Sequence, residues 1–112
     1  MNKAPLPELL APCGSPEALD AALQAGADAV YLGGTVHNAR MHAKNFDLPA
    51  LSAAVSRCHH DGVKLYVTMN TLVFDREKKE ALRYADALAG IGVDALIVAD
   101  LGLARSIHAC LP

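Results

Sequence analysis

The chain has 112 residues, of which 53% are hydrophobic and 20% are charged, with a net charge of −2 at pH 7. This length suits one domain, and the weak negative charge gives no general attraction to nucleic acid. The N-terminal stretch MNKAPLPELLAP is interrupted by prolines, so it predicts neither a signal peptide nor a membrane span. The three cysteines, Cys13, Cys58 and Cys110, form no CxxC pair, which is typical of reduced thiols in a cytoplasmic protein.

The first half of the chain predicts two strands, each followed by a helix. ELLAP at 8–12 predicts a short strand, and GSPEALDAALQAG predicts a helix with Ser15 as its N-cap and Gly26 just past its end. DAVYLGG is an almost continuous apolar run, as in strands that are covered on both faces. A second helix is predicted to start after Asp47 and to run from about Leu48 to Asp61, where it stops before Gly62.

The second half repeats this order. VKLYVTMN predicts the third strand, and DREKKEALRYADALAG predicts a helix that is opened by Asp75. Four apolar residues of that helix are expected to face inward: Leu82, Ala85, Leu88 and Ala89. DALIVAD then predicts a fourth strand and LGLARSIHACLP a fourth helix.

Glycines at positions 26, 62 and 92 each precede a buried strand pattern, at intervals of 36 and 30 residues. These intervals match the length of one strand–helix unit. The sequence therefore predicts an α/β protein of four tandem βα units with parallel strands.

Two architectures accept four such units: an open doubly wound sheet and part of a (β/α)8 barrel. The first turn, APCGSPEA, lacks the GxGxxG of a dinucleotide-binding sheet. Twice 112 residues approaches the roughly 250 residues of a typical barrel. We therefore predict that residues 1–112 form a single partial domain without internal boundary, the N-terminal half of a TIM-type barrel. Strand edges at 8–12 and 94–99 would stay unpaired, so the expected partners are the missing C-terminal half or a second copy through self-association.

Ligands of both architectures gather at the carboxyl ends of the strands. In this sequence that rule selects Cys13, Gly14, Ser15, Gly33, Gly34, Asn38, Arg40, Asn70, Thr71 and Asp100. Most of these residues have two interpretations. Arg40 could bind a carboxylate or phosphate, or be a solvated loop residue. Asn70 could contact a ligand or stabilise a turn.

Three of these candidates sit where a helix begins. Ser15 could bind an anion or cap the first helix. Asp100 could be a catalytic carboxylate or the N-cap of the fourth helix. Cys13 could be a nucleophile activated by the helix dipole, or an apolar residue that fills a turn.

The five histidines do not predict a metal site. His37 and His42 share a loop at no recognised ligand spacing, and His59 and His60 end a helix. No paired carboxylates, Ser–His arrangement or zinc quartet is evident in the sequence. The residues alone thus predict where a site lies but not its reaction.

Four stretches resemble the start of the collagenase-like peptidases of family U32: PELLAPCGSPEALDAALQAGADAVYLGG, NARMHAKNF, GVKLYVTMNTLVFD and GVDALIVADLGLAR. The resemblance implies a TIM-type barrel in the N-terminal part of a much longer protein. The family pattern is matched at Gly14, Ser15, Gly33, Gly34, Asn38, Arg40, Asn70 and Asp100. Cys13 stands where the family usually has a small alanine, which argues against a nucleophile there.

The activity that this resemblance implies is divided. The family is named for peptidase activity of unknown catalytic type, whereas other members support hydroxylation of tRNA, ribosomal RNA or ubiquinone precursors and carry iron–sulfur clusters. The cluster cysteines of the family lie downstream of the matched region. We therefore expect no cofactor within this segment and a possible iron–sulfur cluster in the full-length protein.

Three functions follow from this division. The first is the barrel segment of a family U32 peptidase that hydrolyses peptide bonds. The second is part of an iron–sulfur enzyme of tRNA or rRNA hydroxylation, and the third is a non-catalytic fold that binds a small anion. A peptide or an RNA is thus the expected substrate of the whole enzyme, a cytoplasmic protein with no membrane partner, and the 112-residue chain is expected to be inactive alone.

Overall fold

A computed structural model describes residues 6–33, 46–69 and 77–111 of the chain. Strands and helices alternate strictly: β1 Leu10–Pro12, α1 Pro16–Gln24, β2 Ala29–Gly33, α2 Leu48–His60, β3 Lys64–Met69, α3 Lys78–Gly90, β4 Ala95–Val98 and α4 Leu101–Cys110. The prediction of four βα units is confirmed.

The four strands form one parallel sheet in the order β1-β2-β3-β4. Each strand therefore pairs with the next one in sequence, and the sheet grows in one direction only. Because βα crossovers are right-handed, this order places all helices on the same face of the sheet. A doubly wound sheet instead reverses direction and carries helices on both faces. The strand order is that of a partial barrel.

The two faces of the sheet differ in burial. On the helix-covered face, alternate strand residues are between 0 and 2% exposed: Val30, Leu32, Leu65, Val67 and Met69. The opposite face, which we call the open face, carries Leu10, Tyr31, Tyr66, Thr68 and Ile97. Leu10 and Ile97 are 42% and 37% exposed there. The expectation that the strands are covered on both faces is thus confirmed for one face only.

The predicted helix caps are present. Ser15 Oγ accepts a hydrogen bond from the Ala18 N–H at 3.1 Å, and Asp47 Oδ1 accepts one from the Ala50 N–H at 2.9 Å. Gly62 follows α2 with φ of +72°, a conformation that costs glycine little. These caps confirm the predicted starts of α1 and α2 and the glycine stop of α2.

The prediction for the buried face of α3 is wrong. The described helix begins at Lys78 with Glu77 in the N-cap position, and Asp75, which is predicted to open it, lies outside the described residues. Ala89 is exposed and Ala81 is fully buried, so the buried stripe is rotated towards Ala81, Ala85 and Leu88. Ala89 is exposed because it lines an open groove beside β4.

In two of the three repeated glycine phrases, an aspartate ties the strand that follows, β2 or β4, to the preceding strand. Asp28 Oδ2 accepts a hydrogen bond from the Leu9 N–H at 2.7 Å, and the Asp28 N–H donates to the Leu9 carbonyl at 2.9 Å. Asp94 makes the same two contacts with Leu65, at 2.8 and 2.9 Å. We call each of these paired contacts an aspartate clasp. Both clasps lie at the amino ends of the strands, where they fix the register of β1 to β2 and of β3 to β4.

Candidate binding edge at the carboxyl ends of the strands

The predicted site residues divide into two groups. Cys13, Gly14, Ser15, Gly33 and Asp100 belong to the described part of the chain. The others, Gly34, Asn38, Arg40, Asn70 and Thr71, lie outside the described residues, so their roles stay predictions. The described members all end or follow a strand at the carboxyl edge of the sheet, as the βα topology requires.

Cys13 is a core residue. Its side chain is 3% exposed, and its N–H donates to the Tyr31 carbonyl at 2.8 Å. Burial raises the pKa of the Cys13 thiol, because a thiolate is poorly solvated in an apolar environment. The thiol is therefore protonated near neutral pH and is a poor nucleophile. The structure supports the turn-filling interpretation.

Ser15 and Asp100 are engaged as helix caps. Asp100 Oδ1 accepts a hydrogen bond from the Leu103 N–H at 2.9 Å, as Ser15 does from Ala18 in α1. A carboxylate at this position also interacts favourably with the positive end of the helix dipole. The capping interpretation of both residues is confirmed, and the geometry gives each of them a structural use.

Gly33 is the last residue of β2. Phe46, at the other end of segment 34–45, lies beside it. The Gly33 carbonyl accepts a hydrogen bond from the Phe46 N–H at 3.0 Å, and the Phe46 side chain is 5% exposed. Both residues that flank segment 34–45 thus lie at the carboxyl end of β2. The neighbouring Thr68 Oγ1 donates to the Leu32 carbonyl at 3.3 Å, which holds this end of β2 against β3.

Sequence reasoning missed the polar contact on the open face. The Tyr66 hydroxyl donates to Glu8 Oε1 at 2.8 Å, and this hydrogen bond is the main reason that the pKa of Tyr66 is raised. A signal was present in the third strand, where Lys64, Tyr66 and Thr68 alternate with apolar residues. That period of two indicates a strand with one polar face.

The described cysteines do not fit an iron–sulfur cluster. Cys13 and Cys58 are buried, Cys110 is exposed on α4, and no group of three or more His, Cys, Asp or Glu side chains converges within the described ranges. Cluster ligation needs several thiolates around one centre. In the same part of the chain, no helix has the length and hydropathy of a membrane span.

Parallel βα units in sequential order, with helices on one face, define a partial (β/α) barrel with its candidate site at the carboxyl edge. The sequence profile described as "Peptidase family U32" matches residues 14–112. The chain belongs to this family, as the resemblance of its four stretches implies.

Curated relatives carry different activities in their names. The 23S rRNA 5-hydroxycytidine C2501 synthase of Escherichia coli K12 is 42% identical over 96 residues, which are 86% of this chain and 14% of that protein. The tRNA hydroxylation protein P1 of Bacillus subtilis is 38% identical over 84% of this chain and 22% of its own length. The collagenase of Porphyromonas gingivalis W83 is 38% identical over 84% of this chain and 23% of its own length. The chain thus spans less than a quarter of these relatives.

A solved structure shows the same fold. The U32 peptidase Mk0906 superimposes with a TM-score of 0.71 at 18% sequence identity, and the match covers 96% of this chain and 46% of that one. At this identity the likeness concerns the fold alone. It agrees with a partial TIM-type barrel.

Proposed function

We propose that this chain forms the substrate-binding first half of a barrel in a family U32 protein of RNA hydroxylation. The similarity that carries the proposal is the 42% identity to the 23S rRNA 5-hydroxycytidine C2501 synthase along 86% of the chain. The tRNA hydroxylation protein P1 adds a second relative of the same class at 38% identity.

The lengths of the βα connections support a binding role for the two central strands. Short connections follow the outer strands, residues 13–15 after β1 and 99–100 after β4. Long connections follow the central strands, residues 34–47 after β2 and 70–77 after β3. Typical βα loops have about 2–6 residues, so both connections exceed the usual length, and loops of about 12–15 residues or more, such as 34–47, are often functional. The candidates Arg40 and Asn70 belong to the two long connections.

The residue chemistry fits a nucleotide ligand. An arginine guanidinium can donate two parallel hydrogen bonds to one phosphate, and an asparagine amide can both donate to and accept from a base edge. The consecutive glycines 33 and 34 have no side chain to keep a ligand from the backbone. We assign Arg40 to the phosphate, Asn70 to the base or ribose, and Gly33 and Gly34 to close approach of the substrate. The catalytic group of the whole protein is not assigned to this chain.

Peptide hydrolysis is the second candidate, because the Porphyromonas gingivalis collagenase is 38% identical over 84% of this chain. In that case the same edge would bind a peptide, with Arg40 on a carboxylate rather than a phosphate. The two functions therefore predict the same binding residues and different products.

The experiment compares both products in the source organism after deletion of the gene. Mass spectrometry of nucleosides from tRNA and ribosomal RNA should show loss of a hydroxylated pyrimidine, and the whole gene product should restore it. Arg40→Ala should restore at least about tenfold less, since a charge-assisted bidentate contact is lost. Arg83→Ala is the matched control, because Arg83 is an exposed arginine on α3.

Gelatin and peptide-library cleavage is measured in the same strains. Unchanged nucleosides together with lost cleavage would replace RNA hydroxylation by peptide hydrolysis. If both products are unchanged after the deletion, the enzymatic proposal is wrong and the non-catalytic interpretation takes its place.

A further inference from the structure

Side chains tie the strands of the sheet together at different ends. Asp28 and Asp94 form the aspartate clasps that tie β1 to β2 and β3 to β4 at their amino ends. The glycine phrase before β3 reads GVK, so Lys64 stands where the other two phrases have aspartate. Its N–H donates to the Asp28 carbonyl at 3.2 Å, but an ammonium group has no acceptor for a backbone N–H. Lys64 therefore forms only the backbone half of a clasp between β2 and β3.

The junction between β2 and β3 is tied by a side chain at its carboxyl end instead. Thr68 Oγ1 donates to the Leu32 carbonyl at 3.3 Å, one residue before the two strands end at Met69 and Gly33. Among the described residues, Thr68 is the one polar side chain that is buried, with 7% exposure. Burial of a hydroxyl is unfavourable unless it is hydrogen-bonded, and valine has nearly the same shape without one. A buried threonine here therefore indicates that the hydroxyl itself has a role.

This hydrogen bond lies at the start of both long connections. Leu32 directly precedes Gly33, whose carbonyl accepts a hydrogen bond from the Phe46 N–H at 3.0 Å. Both flanks of segment 34–45 are thus anchored beside the carbonyl that Thr68 holds. Thr68 itself lies at the end of β3, where the second long connection begins. One hydroxyl therefore sets the ends of the first connection against the start of the second.

We propose that Thr68 is a positioning residue of the substrate-binding edge. Its hydroxyl sets the distance between the carboxyl ends of β2 and β3, and through them the placement of the two long connections. This inference rests on the proposed function, which assigns the substrate to these connections. In barrels the carboxyl ends of the strands carry function and the amino ends carry stability. The carboxyl-end contact of Thr68 lies between the two strands that carry the long connections, as this division requires.

Loss of the Thr68 hydroxyl should weaken binding while the sheet stays paired. The backbone ladder of β2 and β3 has five residue pairs, from Ala29 with Lys64 to Gly33 with Thr68, so the junction does not depend on one side chain. A site that holds a ligand from two connections needs both of them placed to within about 0.5 Å. The contact at the strand ends is therefore needed more for binding than for folding.

The test compares variants of the whole gene product for RNA binding. The probe is total tRNA and ribosomal RNA from the deletion strain, and filter binding gives Kd at one fixed salt concentration, because affinity for RNA depends on salt. Thr68→Val keeps the shape of the side chain and removes the hydroxyl. It should raise Kd at least about fivefold, the factor that corresponds to one neutral hydrogen bond. Thr68→Ser keeps the hydroxyl and should stay within about twofold of the wild type.

Asp94→Ala is the matched control. It removes a hydrogen bond of the same kind, between a side-chain oxygen and the backbone of a neighbouring strand, at the opposite end of the sheet. It should lower stability and leave Kd unchanged. Circular dichroism must show each variant folded. If Thr68→Val does not fold, the comparison of Thr68→Ala with Thr68→Ser decides, since these two variants differ by the hydroxyl alone.

Arg40→Ala separates failure of this inference from failure of the proposed function. If Arg40→Ala weakens RNA binding and Thr68→Val binds as the wild type does, Thr68 has no positioning role and the proposed function stands. If Arg40→Ala also binds as the wild type does, the edge is not the RNA site and both are wrong. The inference is overturned as well if Thr68→Ser or Asp94→Ala weakens binding as much as Thr68→Val does.

Discussion

Removal of the Asp94 carboxylate should destabilise the fold more than removal of its histidine partner. Asp94 Oδ2 accepts a hydrogen bond from the Leu65 N–H at 2.8 Å and contacts His59 Nε2 at 2.7 Å. The first contact fixes β4 against β3, and the second joins β4 to the end of α2. The His59 and Asp94 side chains are 42% and 31% exposed in this pair.

The magnitudes of the two contacts differ. A hydrogen bond to a charged group contributes about 1.5–3 kcal/mol, and the partial exposure of Asp94 places this one near the lower limit. The partly exposed contact between Asp94 and His59 contributes at most about 1 kcal/mol. We therefore expect Asp94→Ala to lower the free energy of unfolding by about 2 kcal/mol and His59→Ala by less than about 1 kcal/mol. Asp94→Asn keeps a neutral acceptor and should fall between them.

The assay is urea unfolding followed by circular dichroism, with the free energy obtained by linear extrapolation. All variants are compared at one protein concentration, because association changes apparent stability. The double variant separates the pair from the backbone contact in a double-mutant cycle. If His59→Ala costs as much as Asp94→Ala, or if Asp94→Ala costs less than about 0.5 kcal/mol, the aspartate clasp does not stabilise the pairing of β4 with β3.

Three further predictions use the same unfolding assay. Asp100→Ala should cost about 1 kcal/mol through loss of a cap and Asp100→Asn much less; equal losses would contradict the capping role. Gly62→Ala should cost about 1 kcal/mol because φ is +72° at Gly62. Gly14→Ala, where nothing lies within 4 Å of an added Cβ, should cost less, and the opposite order would refute the backbone argument. Burial raises the pKa of Cys58 from 9.0 to about 11, so stability should hold below pH 9 and fall as the pH rises through 11. This decline should be smaller in Cys58→Ala than in the wild type, and an identical decline would exclude Cys58 as a contributor.

Features that depend on a few neighbouring residues could be predicted from the sequence. The caps Ser15, Asp47 and Asp100 each bind an N–H three residues ahead, so the pattern that predicts a cap also contains its partner. Gly26, Gly62 and Gly92 all have positive φ. Each lies just past the end of a helix, a local position that the sequence marks with glycine. Because each of the four units carries at least one of these signals, they were sufficient to predict the number and order of the βα units.

Features that depend on distant parts of the chain could not be predicted from the same patterns. The exposure of Ala89 depends on the open groove beside β4, and the contact of Tyr66 with Glu8 joins residues 58 positions apart. Cys13 shows the conflict directly. Its position before a helix favours a lowered pKa, but burial, which is a tertiary property, raises the pKa instead.

If the proposed function is right, the two ends of the sheet divide the interactions of the chain into those that stabilise the fold and those that bind substrate. The amino ends carry the clasps of Asp28 and Asp94 and the contact with His59, whereas the carboxyl ends of the central strands lead into the long connections with Arg40 and Asn70. In barrels the carboxyl face carries function and the amino face carries stability. Asp94→Ala should therefore lower the unfolding free energy without changing ligand affinity in the folded protein, and Arg40→Ala should do the reverse. A shared effect of both variants on affinity would mean that the register of β3 to β4 also shapes the binding edge.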